Sequence, residues 1–330
     1  MKLARVYLFV LIILNISCVS TRSKINVTGI SRSLISEDHT SEGFLITLSN
    51  GKILHFFRLD PGFEGSHIGN SSKIVVRESS DNALSWTKPR IIYDSAFDDR
   101  NVRGGITKDS TILLFFREFD ADKKISISKK YLKSKDDGIT WSTHGIDSIG
   151  LCDTCSYTDY FIEIYNNYYM LSQTIINYVE LIFFSENEKE IVWHKKKVIL
   201  DYIDSLHIDE PRFAKLKKGN IIGLFRDEGG SNYYQAISRN YGETWTIPVK
   251  TNLNDGLFSP NPEIFYDKDH YFIFVVGTDR NPHYDKNSIW IYANKPNEIF
   301  LNSFNYTLIK KILDLIQITL DYMDIQLVLK

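Results

Sequence analysis

The sequence predicts an all-β chain folded as a six-bladed β-propeller, and three observations carry that reading. A turn motif recurs about every fifty residues. The stretches between its copies read as strands, as in Lys73-Ile74-Val75-Val76-Arg77. Aromatic residues are abundant, with 20 Phe, 19 Tyr and 5 Trp in 330 residues, a bias toward strand over helix. Hydrophobic content of 43% with only 8 prolines suits a globular body. The formal charge of −2 implies neither nucleic acid nor an anionic membrane as partner.

The motif is clearest at Ser134-Lys135-Asp136-Asp137-Gly138-Ile139-Thr140-Trp141, the pattern Ser-x-Asp-x-Gly-x-Thr-Trp. Ser79 to Trp86 repeats it with Ala83 for Gly and Ser85 for Thr, and Ser238 to Trp245 repeats it with Asn240 for Asp. A worn copy is read at Ser185, Asn187 and Trp193. From Asp81 to Asp136 is 55 residues, to Asn187 a further 51 and to Asn240 a further 53. That period is the size of a four-stranded propeller blade, so the mature chain holds about six. The motif's chemistry is structural. An Asp or Asn in a tight turn accepts hydrogen bonds from nearby backbone amides, Gly supplies the positive φ, and the Trp packs between strands.

At the N-terminus, Lys2 and Arg5 precede the apolar run Val6 to Leu14, which reads as an export signal over 1–18. Ser17-Cys18 resembles a lipoprotein processing site, with Asn15 departing from its usual pattern, so a lipid anchor at Cys18 is an open alternative to simple export to the periplasm or cell surface. The propeller is placed at 25–310. Cys152 and Cys155 form a CxxC pair, read as a local disulfide rather than a metal site because no second Cys or His pair completes four ligands. No metal and no cofactor are expected.

A second repeat marks where a site lies. Gly51 to Arg58, Ser110 to Arg117 and Gly219 to Arg226 are apolar strands ending in Phe-Arg, read as the strands nearest the propeller axis. Arg58, Arg117 and Arg226 then converge on one mouth of the central channel. Arginines meeting there imply an anionic ligand, since a guanidinium fork matches a carboxylate with two parallel hydrogen bonds. The competing reading pairs each arginine with the neighbouring Asp60, Glu118 or Asp227.

The turn motifs resemble the Asp-boxes of the sialidase superfamily, a six-bladed propeller, and the likeness runs from about Gly29 to Phe300. Asp209-Glu210-Pro211-Arg212-Phe213, with the strand to Arg226, looks like the sialidase segment in which a Glu before Pro assists the nucleophile and a strand-end Arg joins the triad that holds the substrate carboxylate. The resemblance thus implies that role for Glu210 and carboxylate binding for Arg226, with Arg280 in Gly277-Thr278-Asp279-Arg280 as a further triad member. Arg100 opens the second blade as another rim candidate. The family's first-blade Arg-Ile-Pro aligns here with Ser41-Glu42-Gly43, and no Asp stands where the acid/base belongs. His67 is the titratable group in that loop and is the acid/base candidate. No tyrosine matches the nucleophile's motif; Tyr157, Tyr160, Tyr284 and Tyr292 remain open.

The tail 311–330 contains no Gly, Pro or Asn, unlike the chain before it. It reads as a terminal helix or an edge strand, or as a shifted reading frame that leaves the last blade incomplete, which resequencing the gene tests. The function expected is that of an exported sialidase-like exo-glycosidase acting on the terminal acidic sugar of a glycan. Two alternatives are a non-catalytic carbohydrate-binding propeller that keeps the arginine rim and a structural surface lipoprotein.

Overall fold

The computed structural model describes residues 38–63, 68–146, 156–157, 160–175, 178–187, 190–199, 208–227, 233–253, 263–267, 272–278, 287–295 and 307–315. They form an all-β propeller of five antiparallel sheets, four of them up-and-down meanders and the third a meander in which the short strand Ser156–Tyr157 also pairs with the strand Tyr168–Ile175. Blade one holds β1 (His39–Thr47), β2 (Ile53–Asp60), β3 (Lys73–Ser79) and β4 (Arg90–Tyr93). Blade two holds β5 (Asp98–Ile106), β6 (Ile112–Asp120), β7 (Ile125–Ser134) and β8 (Ser142–Gly145). Blade three is β9 (Ser156–Tyr157), β10 (Ile162–Tyr165), β11 (Tyr168–Ile175), β12 (Tyr178–Glu186) and β13 (Ile191–Ile199). Blade four is β14 (Ile208–Lys215), β15 (Ile221–Asp227), β16 (Tyr233–Ser238) and β17 (Val249–Lys250). Blade five is β18 (Glu263–Asp267), β19 (Phe272–Thr278), β20 (Asn287–Asn294) and β21 (Thr307–Leu315). Five blades are therefore seen among the described residues where the period suggested six. The start of the expected tail is the edge strand β21, paired with β20.

The Phe-Arg strands β2, β6 and β15 are second in their sheets, not innermost as the apolar runs suggested. The first strands of neighbouring blades touch instead, β1 with β5 and β14 with β18, and so face the axis. The second strands are apolar throughout because alternate side chains serve different seams. Ile112, Leu114 and Phe116 pack with Leu54 and Phe56 of blade one, whereas Leu113 and Phe115 pack with Phe161, Tyr169 and Phe184 of blade three. Met170, Leu181 and Phe183 meet Phe213 and Phe225 across the next seam, and Ile222 and Leu224 meet Ile273 and Val275 across the one after. Each fully buried Phe contributes about 1.5–3 kcal/mol.

Three of the recurring turns close as the sequence suggests. Asp136 accepts from the Thr140 backbone N–H at 2.9 Å and from its hydroxyl at 2.5 Å, while the Ser134 hydroxyl donates to Asp136 at 2.8 Å. Asp81 and Asn240 accept the same way from Ser85 and Thr244. The indole N–H of Trp141 and of Trp245 donates to the Gly138 and Gly242 carbonyls, each at 3.0 Å. The worn third copy is a different structure. Ser185 bonds to the His194 ring at 2.8 Å, and Asn187 caps a β12–β13 hairpin through the Glu190 N–H. Trp193 packs there against Phe115 and Phe184.

Candidate functional site

The inner strands share an irregularity that sequence periodicity does not reveal. β1 bulges between Ser41 and Phe44, β5 between Arg100 and Arg103, and β14 between Asp209 and Arg212. In each bulge one residue takes a left-handed conformation: Glu42 (φ 60°), Asn101 (φ 57°) and Glu210 (φ 41°). Just before each bulge the inner strand pairs with a strand-end arginine, Ser41 with Arg58, Arg100 with Arg117 and Asp209 with Arg226. A bulge re-aims a side chain, so the same rim position in three blades carries Glu42, Asn101 or Glu210 beside an arginine. Blade three has Gln173 in the arginine position, paired with Tyr157. Gln173 is buried and accepts from the Lys129 ammonium at 2.8 Å.

On blade four the Arg226 Nη1 donates to Glu210 Oε2 at 2.7 Å, and the Glu210 side chain keeps 32% of its surface exposed. The Glu210 N–H donates to the Thr174 hydroxyl of blade three at 3.3 Å. The competing reading pairs Arg226 with Asp227; the structure brings Arg226 to Glu210. On blade two the Arg117 Nε donates to Asn101 Oδ1 at 2.7 Å and its Nη1 to the Ser126 hydroxyl at 3.1 Å. Glu118, its partner in the competing reading, accepts from Tyr93 at 2.5 Å and from Lys130 at 2.7 Å. Burial, reinforced by the nearby Arg100 cation, lowers the Arg117 guanidinium to about 10.

Arg58 is enclosed completely. Its Nε donates to Asp98 at 2.8 Å and its Nη2 to Asp60 at 3.2 Å, all three side chains being buried. Burial disfavours its charge, but Glu42, Asp98 and Asp60 more than offset this and raise its pKa. Arg58 therefore sits as an interior ion-pair member, with its Asp60 pairing as the competing sequence reading held, rather than as an open anion ligand. Arg100 donates to Asp98 at 3.2 Å and to Glu42 at 3.4 Å. The Phe119 ring lies beneath both Arg117, at 5.0 Å, and Arg100, at 5.6 Å. Behind them Asp99 is fully buried, and desolvation pushes its carboxyl up to about 7 against two hydrogen bonds from Ser95.

Below the rim, Phe44 of blade one meets Tyr160, which leads into blade three, edge-on at 5.6 Å. Two blades separated by a third can touch only at the axis. Tyr160 thus lies toward the axis, while Tyr292 packs into the seam of blades four and five. Arg58, Arg100 and Arg117 are one connected cluster, and Glu210 with Arg226 forms a second group at the equivalent place on blade four. His67, Arg280, Tyr284 and the cysteines lie outside the described residues. Glu42 is the residue that sequence reasoning missed; its only signal was that a carboxylate stood where the family has arginine.

A BNR repeat-like domain model matches residues 63–259. No curated protein matches. Among solved structures, a Hadza microbial sialidase superposes with a TM-score of 0.63 at 14% identity, over 83% of this chain and 58% of that one. The NanB sialidase of Streptococcus pneumoniae gives 0.62 at 10% identity, over 86% and 62%. The α-L-arabinanase of Penicillium chrysogenum gives 0.54 at 15% identity, over 84% and 83%. The chain thus spans about three-fifths of the length of the sialidases it matches. At these identities the superpositions establish the fold alone, and an arabinanase among them separates fold from substrate. The family model covers more than half of the sequence, and the chain belongs to the BNR repeat-like family.

Proposed function

We propose that this protein is an exported glycoside hydrolase, sialidase-like, that removes a terminal acidic sugar from glycans. One observation carries the reading: a partly exposed carboxylate, Glu210, is aimed by a left-handed bulge and held at 2.7 Å by Arg226. A glutamate so placed can activate a tyrosine or a water for attack at the anomeric carbon, and a neutral nucleophile avoids repulsion by the sugar's own carboxylate. Arg226, with Arg280, takes the sugar carboxylate in this proposal, Arg100 and Arg117 line the opposite side, and His67 serves as acid/base. The complete propeller is proposed to have six blades, the segment 1–18 to direct export, and Cys18 to be open to lipid attachment at the cell surface.

The test is release of methylumbelliferone from its sialoside. Glu210→Gln is expected to lower turnover at least about 100-fold with folding intact. The second reading, a carbohydrate-binding propeller, draws support from the sealed Arg58 and from the closure of Arg100 by Glu42. Binding of sialylated glycans without turnover, unchanged by Glu210→Gln, would favour it over the hydrolase.

A further inference from the structure

Glu42 stands at the focus of the blade-one and blade-two arginines. Its Oε2 accepts the Asn101 backbone N–H, and its Oε1 accepts from Arg100 Nη2 and Asn101 Nδ2, both at 3.4 Å. Its backbone carbonyl accepts from Arg103 at 2.6 Å. Its charge also acts on Arg58 and on Arg117. The side chain is only 10% exposed. An external carboxylate bound at this rim would make these same contacts, a backbone N–H and a guanidinium.

The charges of the cluster confirm that the place is taken. Arg58 pairs with Asp60 and Asp98, Arg100 pairs with Asp98 and Glu42, and the charges of Glu42 and Asp98 act on Arg117. Arg58 Nη1 and Arg100 Nε are buried with no hydrogen-bond partner among the described residues. Without Glu42 the group loses one negative charge, and guanidinium hydrogens are left free to donate. A tethered carboxylate has no translational freedom to lose, so it excludes millimolar free anions by effective concentration.

We propose that Glu42 is a specificity-determining residue whose carboxylate fills the anion position between the first two blades, reserving that side of the mouth for uncharged sugar groups and leaving a ligand carboxylate to the fourth-blade side. The inference rests on the mouth being a sugar site.

The experiment measures, on the full chain by titration calorimetry, affinity for the unsaturated glycal of N-acetylneuraminic acid and for N-acetylglucosamine. Glu42→Gln keeps the acceptor for the Asn101 N–H and removes the charge; it is expected to tighten glycal binding about tenfold or more, with the neutral sugar unchanged. Glu42→Asp, which keeps the charge but retracts it, gives a smaller gain. Adding Arg100→Gln to Glu42→Gln abolishes the gain. Unchanged or weaker glycal binding in folded Glu42→Gln overturns the proposal, as does loss of sialoside turnover in that variant alone, which would make Glu42 a working group. A gain in a protein whose wild type turns over no sialoside sustains the role of Glu42 and ends the hydrolase reading, so the two fail separately.

Discussion

Ala83 has φ 64°, in the place where the second- and fourth-blade turns carry Gly138 (φ 82°) and Gly242 (φ 87°). An L-residue there is strained by about 1 kcal/mol. Ala83→Gly removes the Cβ from the left-handed position and is expected to raise stability by up to about 1 kcal/mol, less the entropy that glycine adds to the unfolded chain. Urea unfolding reads this directly, and a loss of stability would mean that the buried Ala83 methyl outweighs the strain. The glycine requirement was legible because the motif repeats and the exception stands out against it. Glu42 was not, because its meaning depends on a bulge: the extra residue is invisible until the pairing of Ser41 with Arg58 and of Phe44 with Phe56 is known.

The turn is an element whose behaviour follows from its acceptor. Asp81 is held down at about 2, first by the Ser85 hydroxyl and then by the Ser85 N–H and the Ser79 hydroxyl. Asp136 is held at about 2 by the Thr140 hydroxyl and N–H. A carboxyl whose pKa is depressed on folding contributes stability above its unfolded value of 3.8, and that contribution disappears as the pH falls toward 2. Thermal midpoints are therefore expected to drop between about pH 4 and pH 2, and the double variant Asp81→Asn/Asp136→Asn to show a shallower drop. The fourth-blade turn supplies the control, since its acceptor is Asn240 and does not titrate there. An equally steep drop in the double variant would place the acid sensitivity elsewhere. Spacing in the sequence located three turns correctly. It misread the third-blade copy because Ser, Asn and Trp survive there without the Gly that the turn needs, and Ser185 is engaged by His194.

At the scale of the molecule, stability resides in the seams, and the first carries charge as well as apolar packing. Asp98 of blade two accepts from Arg58 of blade one, from the Gly69 N–H and from the Ser72 hydroxyl. Asp98→Asn leaves a buried guanidinium short of one anion, and a loss of about 3 kcal/mol is expected in denaturant unfolding. Combining it with Arg58→Met recovers part of that loss if the pair acts as a unit; purely additive losses would contradict it. The propeller was legible from the period alone, because every blade must bury both faces. The order of strands about the axis was not, since a second strand flanked by neighbours looks as apolar as an innermost one. The three left-handed bulges carry a last consequence. Each lifts one residue out of regular ladder pairing, so its side chain can change without breaking a strand pair. Exchanging Glu42, Asn101 and Glu210 among acids, amides and cations rewrites what the protein can hold without redrawing a strand, which makes these three positions the place to retarget it by design.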